Sequence, residues 1–189
     1  LGGNSIYSTS IAALRAAAET THMPLYNYIA GGEIKTVPVP SFNVINGGHY
    51  ETLTQPFNEF IITPYGASTI YEAVEMAINI FQELENVLTG YLGHKPITAP
   101  SYGYAAPSED PETILELINE AINICGYSGK IGFALDCASS EMYNRTDSTY
   151  LLKGQRISSD DLISYTKTLT EKFNFVFIED LLDEEDWTG

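Results

Sequence analysis

The pattern of apolar and polar positions predicts helices at the start of the chain and strands only afterwards. Apolar residues recur at helical spacing over residues 4–22. Pro24 can open a second, short helix, and Gly31 can end it in the left-handed conformation that other residues avoid. Residues 36–45 are mostly strand formers, but two prolines among them prevent regular ladder bonding at those points. We therefore expect two helices and then an extended strand.

The next part of the pattern predicts a second strand and a long helix, separated by loops. Residues 46–48, Asn-Gly-Gly, indicate a flexible loop that leads to a strand over residues 57–63. Ser68 is a candidate N-cap for a long helix with an apolar face. Residues 93–110 are rich in proline and tyrosine and lack apolar periodicity, which is typical of an ordered loop or an exposed lid. A second amphipathic helix then follows Pro111 and runs to Gly126.

Two apolar strands with a helix between them complete the pattern. The first covers residues 131–135 and ends in Asp136, and the second covers residues 175–178 and ends in Glu179. A helix capped by Ser158 or Ser159 connects them. Continuous apolar runs joined by a crossover helix are typical of parallel neighbours covered on both faces. The order strand, strand, helix, helix, then alternating strand and helix predicts an α/β barrel with an unusual beginning.

The two carboxylates at the ends of these strands are candidate metal ligands. Active sites of α/β barrels lie at the carboxyl ends of the strands, so Asp136 and Glu179 would point at one site. Neighbouring strands lie about 4.8 Å apart, close enough for two carboxylates to share a hard cation such as Mg²⁺. The alternative interpretation is that both acids merely cap the helices that follow them.

The charge of the chain narrows the choice of partners. It carries 25 acidic and 9 basic residues, a formal net charge of -16, which repels nucleic acids and anionic membranes. No apolar run reaches the roughly 20 residues that span a bilayer, and no secretory pattern begins the sequence. We therefore expect a cytoplasmic protein with neither nucleic-acid nor membrane partners. Cys125 and Cys137 are expected to be free thiols.

Several motifs resemble those of the enolase (phosphopyruvate hydratase) family, in order and in spacing, over essentially the whole chain. They are Leu1-Gly2-Gly3-Asn4-Ser5-Ile6, Pro38-Val39-Pro40, Phe42 to Gly48, Asn58-Glu59-Phe60, Leu135 to Tyr143, Phe177-Ile178-Glu179-Asp180 and Asp186-Trp187. The resemblance implies an enolase-type TIM barrel, of which residues 36–189 form the first half. It also implies that residues 1–35 are the last helices of a small α+β N-terminal domain.

The resemblance implies a magnesium-dependent chemistry. Enolases hold Mg²⁺ on three carboxylates, and Asp136 and Glu179 match the first two. The third ligand, the base lysine and the phosphate-binding cation would follow Gly189, so we expect the chain to be part of a longer one or to be completed by a partner. Enolases commonly form dimers, which makes a homodimer or a larger protein assembly the expected partner.

Two segments depart from the family pattern. The family has Ser-His-Ala-Gly after its two glycines, a mobile loop whose histidine closes on substrate, whereas His49 here is shifted by one position. The family acid glutamate corresponds to Tyr102, whose phenol has a reference pKa near 10 and cannot act as a carboxylate at neutral pH. Glu59, the other family carboxylate, is retained, either for catalysis or as a structural partner.

Three functions remain open at this point. The favoured one is an enolase-like protein with impaired or lost catalysis and a structural or interaction role. The alternative is an active phosphopyruvate hydratase that converts 2-phosphoglycerate to phosphoenolpyruvate in glycolysis. A third is a different dehydratase of the same superfamily, in which Tyr102 has a new role.

Overall fold

The computed structural model describes residues 2–189, and the chain divides into two compact units, Leu1–Pro38 and Val39–Gly189. The first unit contains the two predicted helices, α1 (Gly3–Thr20) and α2 (Leu25–Ala30). Gly31 ends α2 with a φ of 69°, as the sequence predicts. The assignment of residues 1–35 to the end of a smaller domain stays a prediction.

The second unit is built on a five-stranded sheet in which one strand runs against the other four. Its elements in chain order are β1 (Phe42–Tyr50), β2 (Leu53–Thr63), α3 (Ile70–Leu92), β3 (Tyr104–Ala105), α4 (Pro111–Ile124), β4 (Gly132–Asp136), a 3-10 turn (Ser139–Glu141), β5 (Tyr143–Asn144), β6 (Thr149–Leu152), β7 (Gln155–Ile157), α5 (Ser159–Lys172) and β8 (Phe175–Glu179). The strand order is β3-β1-β2-β4-β8. β2 is antiparallel to β1 and β4, whereas β3 is parallel to β1 and β8 to β4.

The core lies between this sheet and its helices. α3, α4, β1, β2 and β4 all contribute to one cluster of buried apolar side chains, among them Phe60 and Ile62 of β2. Each large side chain in it contributes roughly 1.5–3 kcal/mol by leaving water. Because side chains alternate along a strand, Glu59 lies on the face of β2 opposite to Phe60. The packing of the core therefore directs Glu59 away from it.

The helices start close to the predicted caps. The hydroxyl of Thr69, not Ser68, accepts a hydrogen bond from the Glu72 N–H and caps α3. Ser68 instead donates its own N–H to the Glu72 carboxylate. At α5, Ser158 forms the predicted cap and Asp161 returns the bond, which completes a capping box. Among residues 2–189, no helix is both long and apolar enough to cross a membrane.

The prediction of a flexible loop after Ile45 is wrong, because β1 continues to Tyr50 and forms a hairpin with β2. Tyr50 pairs with Leu53 across a two-residue turn, in which Glu51 has a φ of 51°. The Tyr50 hydroxyl donates to the carbonyl oxygen of Gly47 at 2.8 Å. The ladder and the Tyr50 hydroxyl together provide hydrogen bonds for backbone groups of residues 46–50.

The segment 98–108, predicted as part of a loop or lid, contains the short strand β3. Tyr104 pairs with Ile45 and Ala105 with Asn46, and the N–H of Ala106 donates to the carbonyl oxygen of Asn46 at 2.9 Å. Tyr104 is buried and its ring stacks on Phe81 of α3. This packing makes the segment part of the sheet.

Two further features of the sheets differ from the sequence pattern. The parallel pairing of β4 and β8 is confirmed, but β8 is not covered on both faces within residues 2–189, since Val176 is 50% exposed and Phe177 is 38% exposed. The antiparallel sheet β5-β6-β7 was not predicted. Its signal is the pair Lys153-Gly154, which joins β6 and β7 with positive φ at both positions, the signature of a two-residue hairpin turn.

Candidate functional site

The candidate site is a row of polar side chains at the same level of four neighbouring strands. Asn46 of β1 pairs with Glu59 of β2, Glu59 with Asp136 of β4, and Asp136 with Glu179 of β8. We call Glu59, Asp136 and Glu179 the carboxylate row. Paired residues project to the same face with Cβ atoms about 4.5–5.5 Å apart. The strand register therefore brings the three acids together.

The reversed direction of β2 explains how Glu59 joins this row. Asp136 and Glu179 are the last residues of their strands, whereas Glu59 lies in the interior of β2. An antiparallel strand carries its earlier residues to the edge at which its neighbours end. Glu59 thus reaches the carboxyl-terminal edge of β4 and β8, where barrel sites are built.

The three acids repel one another. Partial burial raises the pKa of Glu59, and the charges of Asp136 and Glu179 raise it further. None of the ion pairs formed within residues 2–189 includes a carboxylate of the row; the acidic partners in those pairs are Glu85, Asp110, Glu112, Asp183 and Glu184. Negative charge is therefore concentrated at the row without a basic side chain to balance it.

The donor set suits a hard divalent cation. Oδ2 of Asp136 accepts a hydrogen bond from Nδ2 of Asn58 at 3.3 Å, and Oδ1 accepts from the N–H of Ala138 at 3.0 Å. These bonds fix the carboxylate and leave it lone pairs for a cation. No group of three or more His, Cys, Asp or Glu side chains within residues 2–189 is arranged to hold a metal ion by itself. Asp136 and Glu179 would thus supply part of a coordination shell.

A cleft of about 160 Å³ is connected to the row through Asn58, which lines the cleft and donates to Asp136. Its lining includes Gly47 and His49 of the hairpin, Asn58 of β2, and Glu141 of the 3-10 turn. His49 is exposed, and its Nδ1 lies 2.8 Å from the hydroxyl of Thr54 across the hairpin. The structure therefore places His49 on the wall of the cleft, at the hydroxyl of Thr54.

Tyr102 points to solvent. It is 85% exposed and has a φ of 71°, in a turn closed by the bond from the Tyr102 N–H to the carbonyl oxygen of Ala99. The next residue, Gly103, contacts Asn46, which lies beside the carboxylate row on β1: the N–H of Gly103 donates to Oδ1 of Asn46 at 3.0 Å. The backbone of this segment thus contacts the site, while the Tyr102 side chain lies outside it.

Sequence reasoning missed two side chains that build this site. The sequence predicts Asn46 as the start of a loop and as part of the motif Phe42 to Gly48, yet the structure buries it and places it on β1 at the level of the three acids. Asn58 was noted only as part of a motif, yet it orients Asp136 and lines the cleft. Both asparagines could have been found from the motifs, since Asn58 directly precedes Glu59 and Asn46 directly precedes the two glycines. The roles of Glu59, His49, Tyr102 and the two predicted ligands stay predictions.

The comparison with protein families agrees with this architecture. The family model described as Enolase, C-terminal TIM barrel domain, matches residues 34–189. The chain belongs to the enolase family. This match confirms the predicted family and the predicted barrel-type α/β fold, of which the five-stranded sheet with its helices is a part.

Curated enolases are similar to the chain over its whole length. The enolase of Methanococcus aeolicus is 42% identical, that of Methanocaldococcus jannaschii 37% and that of Methanococcus maripaludis strain S2 36%. In each case the alignment covers 100% of this chain but only 44–45% of the relative. The chain therefore spans less than half the length of the enolases it matches.

Proposed function

We propose that this enolase-family protein binds a divalent cation through Asp136 and Glu179, while its proton-transfer groups are altered so that catalysis is impaired or lost. The proposal depends on the contrast between the carboxylate row and the side chain of Tyr102. The three acids of the carboxylate row are in register on neighbouring strands, whereas Tyr102, at the position of the family acid, is 85% exposed.

The cation would be Mg²⁺, which prefers carboxylate oxygens. When bound, it would stabilise negative charge that develops on a substrate carboxylate. The protein's own contribution is orientation: Asn58 and the Ala138 N–H each hold one oxygen of Asp136, and strand pairing sets Glu179 beside it. Such supporting hydrogen bonds typically change metal affinity by about 10–100-fold when they are removed.

The loss of catalysis follows from the chemistry of the altered segments. A phenol that faces solvent neither reaches the row nor supplies a carboxylate at neutral pH. His49 is paired with Thr54, and Glu51 brings a negative charge into the hairpin turn, where an anionic substrate would be repelled. The protein would then keep the fold for a structural or interaction role, in a homodimer or a larger protein assembly.

One observation favours the alternative, an active phosphopyruvate hydratase that converts 2-phosphoglycerate to phosphoenolpyruvate. Burial and two neighbouring charges raise the pKa of Glu59. A carboxyl group whose pKa is raised toward the working pH is suited to exchange a proton during catalysis. Glu59 could in this case provide part of the chemistry that Tyr102 cannot.

Two measurements on the full-length protein test the proposal. Titration calorimetry with Mg²⁺ should show binding that Asp136→Asn weakens at least about 10-fold. Glu75→Gln, which removes an exposed negative charge on α3, should leave the affinity unchanged. A coupled assay with excess Mg²⁺ should show little or no dehydration of 2-phosphoglycerate.

The two measurements contradict different parts of the proposal. Equal Mg²⁺ affinity in the parent and Asp136→Asn proteins would disprove the cation site. Turnover comparable to that of ordinary enolases would instead establish the alternative function and leave the cation site intact.

A further inference from the structure

A groove of about 400 Å³ lies between α3 and α4, and other residues line it than line the cleft at the hairpin. Its lining includes Glu83, Gly90 and Tyr91 of α3 and Leu117, Glu120 and Ile124 of α4. Leu117 belongs to the buried core, whereas Tyr91 is 52% exposed and Ile124 is 58% exposed. A large aromatic and a large aliphatic side chain therefore border a concave surface that residues 2–189 leave open.

The groove is acidic, and the two helices that form it have no basic residue. α3 contains four glutamates and α4 contains three, and neither helix contains lysine or arginine. Two of these glutamates pair with lysines from other segments, but no ion pair within residues 2–189 includes Glu83 or Glu120. The last turn of each helix also lines the groove, and helix C-termini attract cations. The groove is therefore complementary to a positively charged partner.

Gly90 leaves space in the groove that the packing of α3 does not require. It lies inside the helix, and a Cβ there would meet no atom within 4 Å. Glycine destabilises a helix interior relative to alanine, because it loses more backbone entropy on folding. Neither a close contact nor a positive φ accounts for glycine at this position. The space above Gly90 is thus available to a side chain of a partner.

We propose that this groove binds a basic amphipathic segment of another protein, with its apolar side chains against Tyr91 and Ile124 and its basic side chains beside Glu83 and Glu120. A second copy of this chain is a poor occupant, since it also carries a net charge of -16 and is repelled by the acidic rim. The inference rests on the interaction role in the proposed function and names a surface and a partner chemistry for it. It is independent of the cation site.

Fluorescence anisotropy on the full-length protein tests the groove with two labelled peptides of leucine and lysine. The first has about 14 residues and carries its leucines on one helical face, so that at a length of roughly 21 Å it covers the groove from Glu83 to Tyr91. The second has the same composition in scrambled order. The protein should bind the first peptide at least about 10-fold more tightly than the second. Equal affinity for both would show that charge alone acts and would overturn the proposal.

Gly90→Gln should block the groove without disturbing the fold, because the new side chain begins in open space. We expect it to weaken binding of the amphipathic peptide at least about 10-fold. Thr89→Gln is the matched control, since the adjacent Thr89 is exposed but does not line the groove. It should leave the affinity unchanged. If Gly90→Gln also binds like the parent protein, the peptide lies elsewhere and the proposal is wrong.

A pair of charge changes tests the acidic rim. Glu83→Gln combined with Glu120→Gln should weaken binding of the amphipathic peptide about 5-fold. Asp160→Asn combined with Glu171→Gln removes the same number of charges from exposed positions of α5 and should change the affinity less than about 2-fold. Equal weakening by the two pairs would mean that only the overall charge attracts the peptide, which contradicts a specific groove.

Ile124→Ser covers the case in which Gly90→Gln fails to fold. Because Ile124 is 58% exposed, its replacement should preserve the fold while weakening peptide binding about 5-fold. Tyr71→Ser, at a side chain that is 85% exposed on α3 outside the groove, is its control and should bind like the parent protein. Unchanged binding by Ile124→Ser would contradict the apolar contact.

Two further measurements separate this inference from its alternatives. Sedimentation velocity of the parent protein and Gly90→Gln tests for a second copy: self-association that only the parent protein shows would make the groove an interface between copies and would overturn the proposal. Mg²⁺ titration of the same two proteins should give equal affinities, since the groove shares no residue with the carboxylate row. A failure of the groove and a failure of the cation site are therefore distinguishable.

Discussion

The carboxylate row and the two segments beside it are held in place by different means. Backbone pairing fixes the row, since Glu59, Asp136 and Glu179 occupy register positions on three neighbouring strands. In the hairpin and the 98–108 segment, bonds between side chains and backbone groups add to the strand pairing: the Tyr50 hydroxyl donates to the carbonyl oxygen of Gly47, and the N–H of Gly103 donates to Oδ1 of Asn46. Strand pairing tolerates a change of side chain, whereas a bond that a side chain makes to the backbone depends on the identity of that residue. The three acids can therefore keep their register when side chains in the neighbouring segments change.

The hairpin and the 98–108 segment are joined to each other as well as to the sheet. Nε2 of Gln55 donates to the carbonyl oxygen of Ser108, and the N–H of Thr54 donates at 3.4 Å to the carboxylate of Glu109, the residue that follows the segment. The N–H of Ala106 donates to the carbonyl oxygen of Asn46. The hairpin and the 98–108 segment are thus connected by hydrogen bonds, and we expect a substitution in one to change the stability of the other.

The largest effect is expected where the hairpin backbone meets β2. A Cβ on Gly47 would lie 1.8 Å from the carbonyl oxygen of Phe57 and 2.6 Å from that of Gln55. Both atoms belong to the backbone and cannot rotate away. Gly47→Ala should therefore lower the free energy of unfolding by about 3 kcal/mol. Urea denaturation of the full-length protein measures this.

Gly90→Ala is the matched control for this prediction. Gly90 lies in the last turns of α3, and a Cβ there would meet no atom within 4 Å. Alanine favours a helix over glycine by up to about 1 kcal/mol, so this variant should be as stable as the parent or more so. Similar destabilisation by both changes would mean that the close approach at Gly47 is not what holds the hairpin.

The same region shows where prediction from sequence succeeds and where it stops. The positions of Asp136 and Glu179 at the ends of neighbouring strands follow from local signals, because an apolar strand ends at each acid and a capped helix connects the two strands. The continuation of β1 through Gly47 and Gly48 has no such local signal. It depends on the Tyr50 hydroxyl and on the approach of β2, which are tertiary contacts. Glycines that indicate flexibility in sequence serve here to admit a close neighbour.

The exposure of Tyr102 is unpredictable for a related reason. A motif alignment assigns the side chain a position in the chain but not a direction. Its direction is set by the turn around Ala99 and by the contact of Gly103 with Asn46. Both of these interactions use backbone groups, which the sequence letters do not identify.

An intermediate effect is expected from the hydroxyl that closes the hairpin. Tyr50→Phe removes the donor to the carbonyl oxygens of Gly47 and Asn46, at 2.8 and 3.2 Å. The cost should be about 1 kcal/mol, the usual net value of one such hydrogen bond. Amide hydrogen exchange should become faster across residues 47–54. Tyr71→Phe, at a side chain that is 85% exposed on α3, should change neither quantity, and unchanged exchange in Tyr50→Phe would show that the ladder alone closes the hairpin.

The smallest effect is expected from restoring the family acid. Because the side chain of residue 102 faces solvent, Tyr102→Glu should change the free energy of unfolding by less than about 0.5 kcal/mol. It should also leave turnover of 2-phosphoglycerate by the full-length protein unchanged. Tyr102→Gly should stabilise the protein slightly, since the φ of 71° suits glycine better than any residue with a Cβ. A large gain in turnover on Tyr102→Glu would show that this side chain does reach the row, and it would contradict the proposal that its direction keeps it from taking part in catalysis.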